Sequence, residues 1–223
     1  MTIHIHTRCK AAFMLAMMGL GLIYPHYAHA RPVSYPGGWT SMLTNNDDRN
    51  ALHIHYSPTA KYSIGYKLEY WRDNKYTLNA IQVNNLLRRW NQRDSQANLY
   101  LKSGLGVAHK DTAPFDGKLA PAAFTGFATD WENRRFFVSY ENRYTEASDI
   151  DNFYMQTARA GIAPYIGDFG DLHTWLMLEV DHNSESTNPL TLTPMVRFFK
   201  GVHLLEFGVS DRGKALFNWV IRY

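Results

Sequence analysis

The chain has 223 residues, with 23 Lys and Arg against 20 Asp and Glu and a single cysteine, Cys9. This length suits one domain, and the near-balance of charge, with no clustered basic face, excludes a nucleic-acid surface. One cysteine cannot form an internal disulfide or a thiolate metal cluster.

The first thirty residues read as a leader. Arg8 and Lys10 form a positive start, Ala11 to Leu22 an apolar run too short to span a membrane, and Ala28-His29-Ala30 an A-x-A cleavage site. The expected mature chain is 31–223, beginning at Arg31. Cys9 and four of the ten histidines leave with the leader, and the mature charge balance falls to 21 basic against 20 acidic residues. Downstream, no apolar stretch reaches transmembrane-helix length.

From residue 38 onward the pattern is period-2 alternation in segments of about ten residues, the length a tilted strand needs to cross a bilayer. In chain order they are 38–44, 51–57, 61–71, 76–90, 96–109, 119–131, 134–145, 152–166, 170–181, 188–199, 202–210 and 214–223. Short turns, such as Lys200-Gly201 and Gly167 to Gly170, alternate with longer or more acidic connections, such as Lys110 to Lys118 and Asp181 to Pro189. The number of segments is even, as a closed up-and-down barrel of a single bacterial chain requires. Twelve strands are expected, or ten if 38–44 fails to pair and one other segment is not a strand.

The faces sort cleanly. Leu172, Thr174, Leu176, Leu178 and Val180 alternate with His173, Trp175, Met177 and Glu179; Tyr62, Ile64, Tyr66, Leu68 and Tyr70 alternate with Ser63, Gly65, Lys67 and Glu69. One face suits lipid and the other a polar lumen, and closing the sheet satisfies every backbone group. A secreted sandwich or lipocalin-like barrel would also alternate, but would bury the larger face. Segment 76–90 breaks phase between Val83 and Trp90, which calls for a bulge that the sequence does not place.

The last segment is the most specific. Phe217, Trp219, Ile221 and Tyr223 alternate with Asn218, Val220 and Arg222 and run to the terminus. This resembles the C-terminal signature strand of bacterial outer-membrane β-barrels. The resemblance implies an all-β, closed antiparallel transmembrane barrel in the outer membrane of a Gram-negative bacterium. It also implies that these four residues form an assembly signal read by the barrel assembly machinery, and that outer-membrane lipids and lipopolysaccharide are partners.

On the inward phase lie Lys67, Lys102, Arg135, Arg143, Arg159, Arg197 and Arg222, against Glu69, Glu141, Glu179, Asp181 and Glu206. Mixed signs in a narrow lumen favour neutralising ion pairs over a single-sign conduction path. Glu141, Arg143, Arg159, Glu179, Arg197 and Glu206 are expected to form one connected network. The leading functional reading is non-enzymatic: a small porin-like channel or a plugged structural barrel. The alternative is a membrane-embedded lipid hydrolase. His55-Tyr56-Ser57 with Glu69 resembles the His-x-Ser and downstream carboxylate of outer-membrane lipid A deacylases, where serine is nucleophile, histidine base and glutamate orienter. If Pro58-Thr59 turns the chain, His55 faces Tyr62 and Glu69 stands about 20 Å away. No His, Ser and Asn set matches the outer-membrane phospholipases. His53 and His55 share a face, and Met155, Met177 and Met195 point inward, but no third ligand completes a metal site; no metal and no cofactor is expected. The oligomeric state is not legible.

Overall fold

Each alternating segment becomes a strand. The computed structural model describes residues 32–110, 112–113 and 117–223; the leader reading and Cys9 lie outside the described residues. The strands are β1 Trp39–Asn45, β2 Arg49–Thr59, β3 Tyr62–Trp71, β4 Tyr76–Asn91, β5 Ser95–Lys110, β6 Lys118–Asn133, β7 Phe136–Glu146, β8 Asn152–Ile162, β9 His173–Asn183, β10 Leu190–Lys200, β11 His203–Val209 and β12 Ala215–Arg222. All twelve join in chain order as an antiparallel barrel, closed where β1 pairs with β12. The short first segment therefore counts: Met42 is flanked by Val220 on one side and His53 on the other.

Both ends of the strand set lie at one rim, where the Trp39 amide donates to the Tyr223 carbonyl at 2.7 Å. We call this the turn end, because four of its five connections have three residues or fewer. The fifth corrects the sequence reading. β8 stops at Ile162 rather than 166, and β9 begins at His173 rather than 170. Pro164 lacks the amide that would continue the ladder, so residues 163–172 form one longer connection. The other rim, the loop end, carries the remaining six connections. The phase break in β4 is a bulge at Leu87. Leu86 pairs with Tyr100 and Arg88 with Leu99, leaving Leu87 extra. The extra residue returns Trp90 to the outer face, while Leu86 packs inward against Val33 and Tyr100.

The polarity of the barrel is inside-out. Leu105, Leu119, Leu176, Leu178, Leu190 and Leu192 are exposed on the outer wall, whereas Glu69, Glu179 and Glu206 are buried within. Trp39, Trp90, Trp131, Phe136, Trp219 and Tyr223 lie on the outer surface near the turn end, as an interfacial aromatic girdle would. Arg135, expected inside, sits in the β6–β7 turn and donates to the Ala163 carbonyl.

Two devices fill the ends of the lumen. At the loop end, Trp71, Tyr76, Leu78 and Phe153 pack with Ala147 and Ile150, which the β7–β8 loop folds inward. Beside them the β1–β2 turn is pinned by Arg72, which donates to the Asp47 carbonyl at 3.0 Å and to Asn45 Oδ1 at 2.7 Å. Ser210 in the neighbouring β11–β12 loop donates to Asp47, and Asn183 at the end of β9 donates to Asp48. At the turn end the chain before β1 lies inside. Val33 is buried against Tyr100 and Ala128, and the Pro32 carbonyl accepts from Ser63 Oγ at 2.8 Å.

Candidate functional site

The lumen holds one large cavity, of about 970 Å³, lined by residues of the turn end such as Gln92, Arg134 and Phe169. It runs inward to Arg49, Glu69, Arg143 and Leu216. Beyond that level, the voids among Asp47, Asp48 and Ser210 and among Asp73, Asp151 and Glu185 measure only about 10 Å³ each. A space that size holds about one water. The lumen is thus a vestibule with a floor.

The floor is an ion-pair bridge across the barrel. Arg143 on β7 makes a bidentate contact with Glu69 on β3, both bonds at 2.8 Å. Lys67 approaches the same carboxylate at 3.1 Å and Arg49 at 3.7 Å. The Arg143 guanidinium lies 4.0 Å from the Phe124 ring centroid, and the Lys67 ammonium lies 5.3 Å from it. Phe124 can lie there because Gly104 faces it on β5: a Cβ at Gly104 would stand 2.2 Å from the ring's Cζ. Nearer the turn end Lys102 donates to Glu141 at 2.6 Å.

A second cluster occupies the opposite wall. Arg159 contacts Glu179 and reaches Glu206 at 3.6 Å. Arg197 closes on Glu206 at 2.6 Å, and Asn218 donates to the same carboxylate at 2.7 Å. The expectation of a single network running from Glu141 to Glu206 therefore needs correcting. Arg143 turns away from its neighbours on β8 and pairs across the lumen with Glu69, which divides the charges into two groups. Arg222 is buried on β12 in the same circumferential row as Thr40 and His55. Phe217, Trp219, Ile221 and Tyr223 line the outer side of β12, with Phe217 5.3 Å from the Phe207 ring.

Arg49, Phe124 and Asn218 escaped sequence reading. Arg49 falls where strand alternation blurs into an acidic turn, and Phe124 is an apolar residue on a lumen phase. The bond from Asn218 to Glu206 depends on which strands meet.

His55, Ser57 and Glu69 all face inward and all are fully buried. They do not assemble. β2 runs through Pro58 with a register shift, so His55 faces Gly65 and not Tyr62. Glu69 is four residues further along, about 13 Å at the usual rise, and its oxygens are taken by Arg143. Ser57 Oγ instead accepts the Ser34 amide at 3.0 Å. The His53 and His55 rings lie tilted to one another with centroids 4.6 Å apart, but Lys67 faces His53 across the ladder, a poor setting for a cation. Among the described residues no His, Cys, Asp and Glu cluster of three gathers for a metal. Met155 packs in the loop-end core and accepts from Arg49, and Met177 and Met195 pack with Leu216.

No family model matches the chain, and no curated protein does. Among solved structures, LpxR from Salmonella typhimurium is similar at 9% identity and a TM-score of 0.43, over 83% of this chain and 99% of that one. A likeness of that strength transfers no residue roles.

Proposed function

We propose that this chain is a non-enzymatic outer-membrane β-barrel, with a lumen that is a closed-floored vestibule rather than an open pore. The observation that carries the reading is the cavity's end at the Arg49–Glu69–Arg143 bridge, under an apolar cap, inside a wall whose exposed face is apolar. An exposed hydrocarbon belt of this extent is costly in water and favourable in lipid. Charged groups buried in pairs suit a narrow, filled lumen. With both strand termini at the turn end, that rim faces the periplasm, where a leader cleaved before Arg31 would leave the chain. The loop end then meets lipopolysaccharide, and the terminal strand is the element offered to the barrel assembly machinery.

The test is expression with the leader intact in a Gram-negative host. The expected outcome is recovery with outer membranes, an N-terminus at Arg31, heat-modifiable migration in gels, and no discrete conductance steps in planar bilayers. A soluble periplasmic product would overturn the location. Discrete steps would overturn the closed floor, and fatty-acid release that is lost in Ser57→Ala would overturn the non-enzymatic reading.

A further inference from the structure

The lumen is not polar throughout. Phe199, Leu204, Val220 and Met42, from β10, β11, β12 and β1, are successive cross-strand partners and so form one circumferential row. All of them line the cavity near the turn end. Deeper in, Phe137 and Trp175 face the same space, their rings edge to face at 6.3 Å. The wall opposite the row, β5 to β7, carries the Lys102–Glu141 ion pair instead. Apolar side chains that face an aqueous cavity are costly until something apolar covers them.

The long connection 163–172 supplies the second observation. Elsewhere at the turn end the rim is crossed by tight turns, but here Pro164 ends the ladder and apolar residues follow. Ile166 is 52% exposed and Phe169 74%, and both line the mouth of the cavity. In the same connection Tyr165 and Leu172 are exposed, and the Tyr165 hydroxyl donates to the Leu172 carbonyl. Ile162 and its partner Phe136, where the connection begins, belong to the exposed outer wall. Apolar surface therefore continues from the outer wall, over the rim at 163–172, into the lumen.

We infer that the vestibule takes up the alkyl chain of a single-chain amphiphile from the surrounding lipid and leaves its head at the turn end. The chain covers the apolar row, Phe137 and Trp175. A second chain would lie against the Lys102–Glu141 wall, where it would strip water from charges, so the ligand has one. The cavity, about 970 Å³, falls within the size of small-molecule sites. At its mouth Arg93 and Arg134 are set against Asp94, Asp130, Glu132 and Asp171. No surplus of cations favours an anionic head there, so the head is one without net charge. The inference rests on the membrane reading for its source of ligand.

The test uses the full mature chain refolded into phosphatidylcholine bilayers. The probe is a lauroyl lysophosphatidylcholine with a diazirine at its chain end, and adducts are located by tandem mass spectrometry after irradiation. Adducts on Phe199, Leu204 and Trp175 should saturate as the probe is increased. Excess unlabelled lysophosphatidylcholine should remove them, and glycerophosphocholine, which has the head and no chain, should not. Adducts on Leu176 and Leu190 of the outer wall should rise in proportion to the probe without saturating. Leu204→Gln and Phe199→Gln should each reduce lumenal labelling about tenfold, the scale of one buried apolar side chain. Leu205→Ala, next in sequence but on the outer face of β11, should leave it unchanged. Lumenal labelling that never saturates, that glycerophosphocholine removes, or that both Gln variants leave intact in heat-modifiable protein overturns the proposal. Outer-wall adducts without lumenal ones overturn it and leave the membrane reading standing. Lumenal adducts without outer-wall ones do the reverse, and the absence of both overturns both.

Discussion

At the scale of residues, stability in the lumen depends on who shares a carboxylate. Glu69 is fully buried and serves Arg143, Lys67 and Arg49 together. Glu69→Ala would strand a guanidinium between Phe124 and Trp71, and removing one member of a buried pair costs about 3–5 kcal/mol. Denaturant unfolding in micelles should show that loss, and the double change Glu69→Ala with Arg143→Met should recover much of it. The exposed pair Lys118–Asp149 gives the contrast, since Asp149→Asn should leave the midpoint unchanged. Equal effects of Glu69→Ala and Asp149→Asn would contradict the assignment of the bridge. Gly104 makes a second residue-level case. Its missing side chain is where Phe124 lies, and that ring is held by Arg143 and Lys67, so it has little room to give. Gly104→Ala should cost about 1–3 kcal/mol as overpacking and should loosen Arg143. A wild-type midpoint would show that the ring moves freely.

At the scale of elements, each strand carries two different jobs on its two faces. On β9, Leu178 is exposed on the outer wall and the adjacent Glu179 is buried. Leu178→Arg places a charge on the lipid face and should cost about 2–4 kcal/mol near the midplane, seen as loss of membrane-inserted, heat-modifiable protein. Glu179→Ala should insert normally, because Arg159 keeps Glu206 as a partner, and should lose stability only in unfolding. The reverse pattern would mean the faces of β9 are exchanged. On β12, Phe217 points outward against Phe207, and β12 closes the barrel against β1. Phe217→Asp should reduce assembled protein sharply, with Asn188→Ala as the loop control. Normal assembly of Phe217→Asp would remove the case for β12 as the recognition element.

At the scale of the whole molecule, the loop end is a closure made by several loops, and it gathers carboxyl groups. Asp48 is pushed above its ordinary value of 3.8 chiefly by burial and further by Asp73, against the pull of Arg49 and the bond from Asn183. Asp151 is pushed up in the same way, by burial and Glu185, against bonds to Asn74 and Tyr76. A carboxyl raised in the folded state favours its protonated form there. Its contribution to closure is therefore full below 3.8 and is lost as pH rises through the raised value. Amide exchange in residues 46–48 and 147–151, corrected for intrinsic rate, should be slower in mild acid than at neutrality. Slower exchange at neutrality would show that ionised carboxylates hold the loops together.

Twelve strands and their inner and outer faces were legible in the sequence because side-chain period in a strand is fixed at two residues. Apolar residues outside and charged ones inside make that period visible, as in Tyr62 to Tyr70 and Leu172 to Val180. The lumen charges were legible one at a time for the same reason. Their partners were not. Arg143 meets Glu69 across the barrel, 74 residues away in sequence, and only closure of the sheet sets which strands face each other. Register decided the rest. One irregularity near Pro58 sets His55 against Gly65, and one extra residue at Leu87 puts Trp90 outside. Local alternation determines what each strand shows to the outer surface and to the lumen, while the long-range pairing of strands alone decides which charges meet and where the cavity ends.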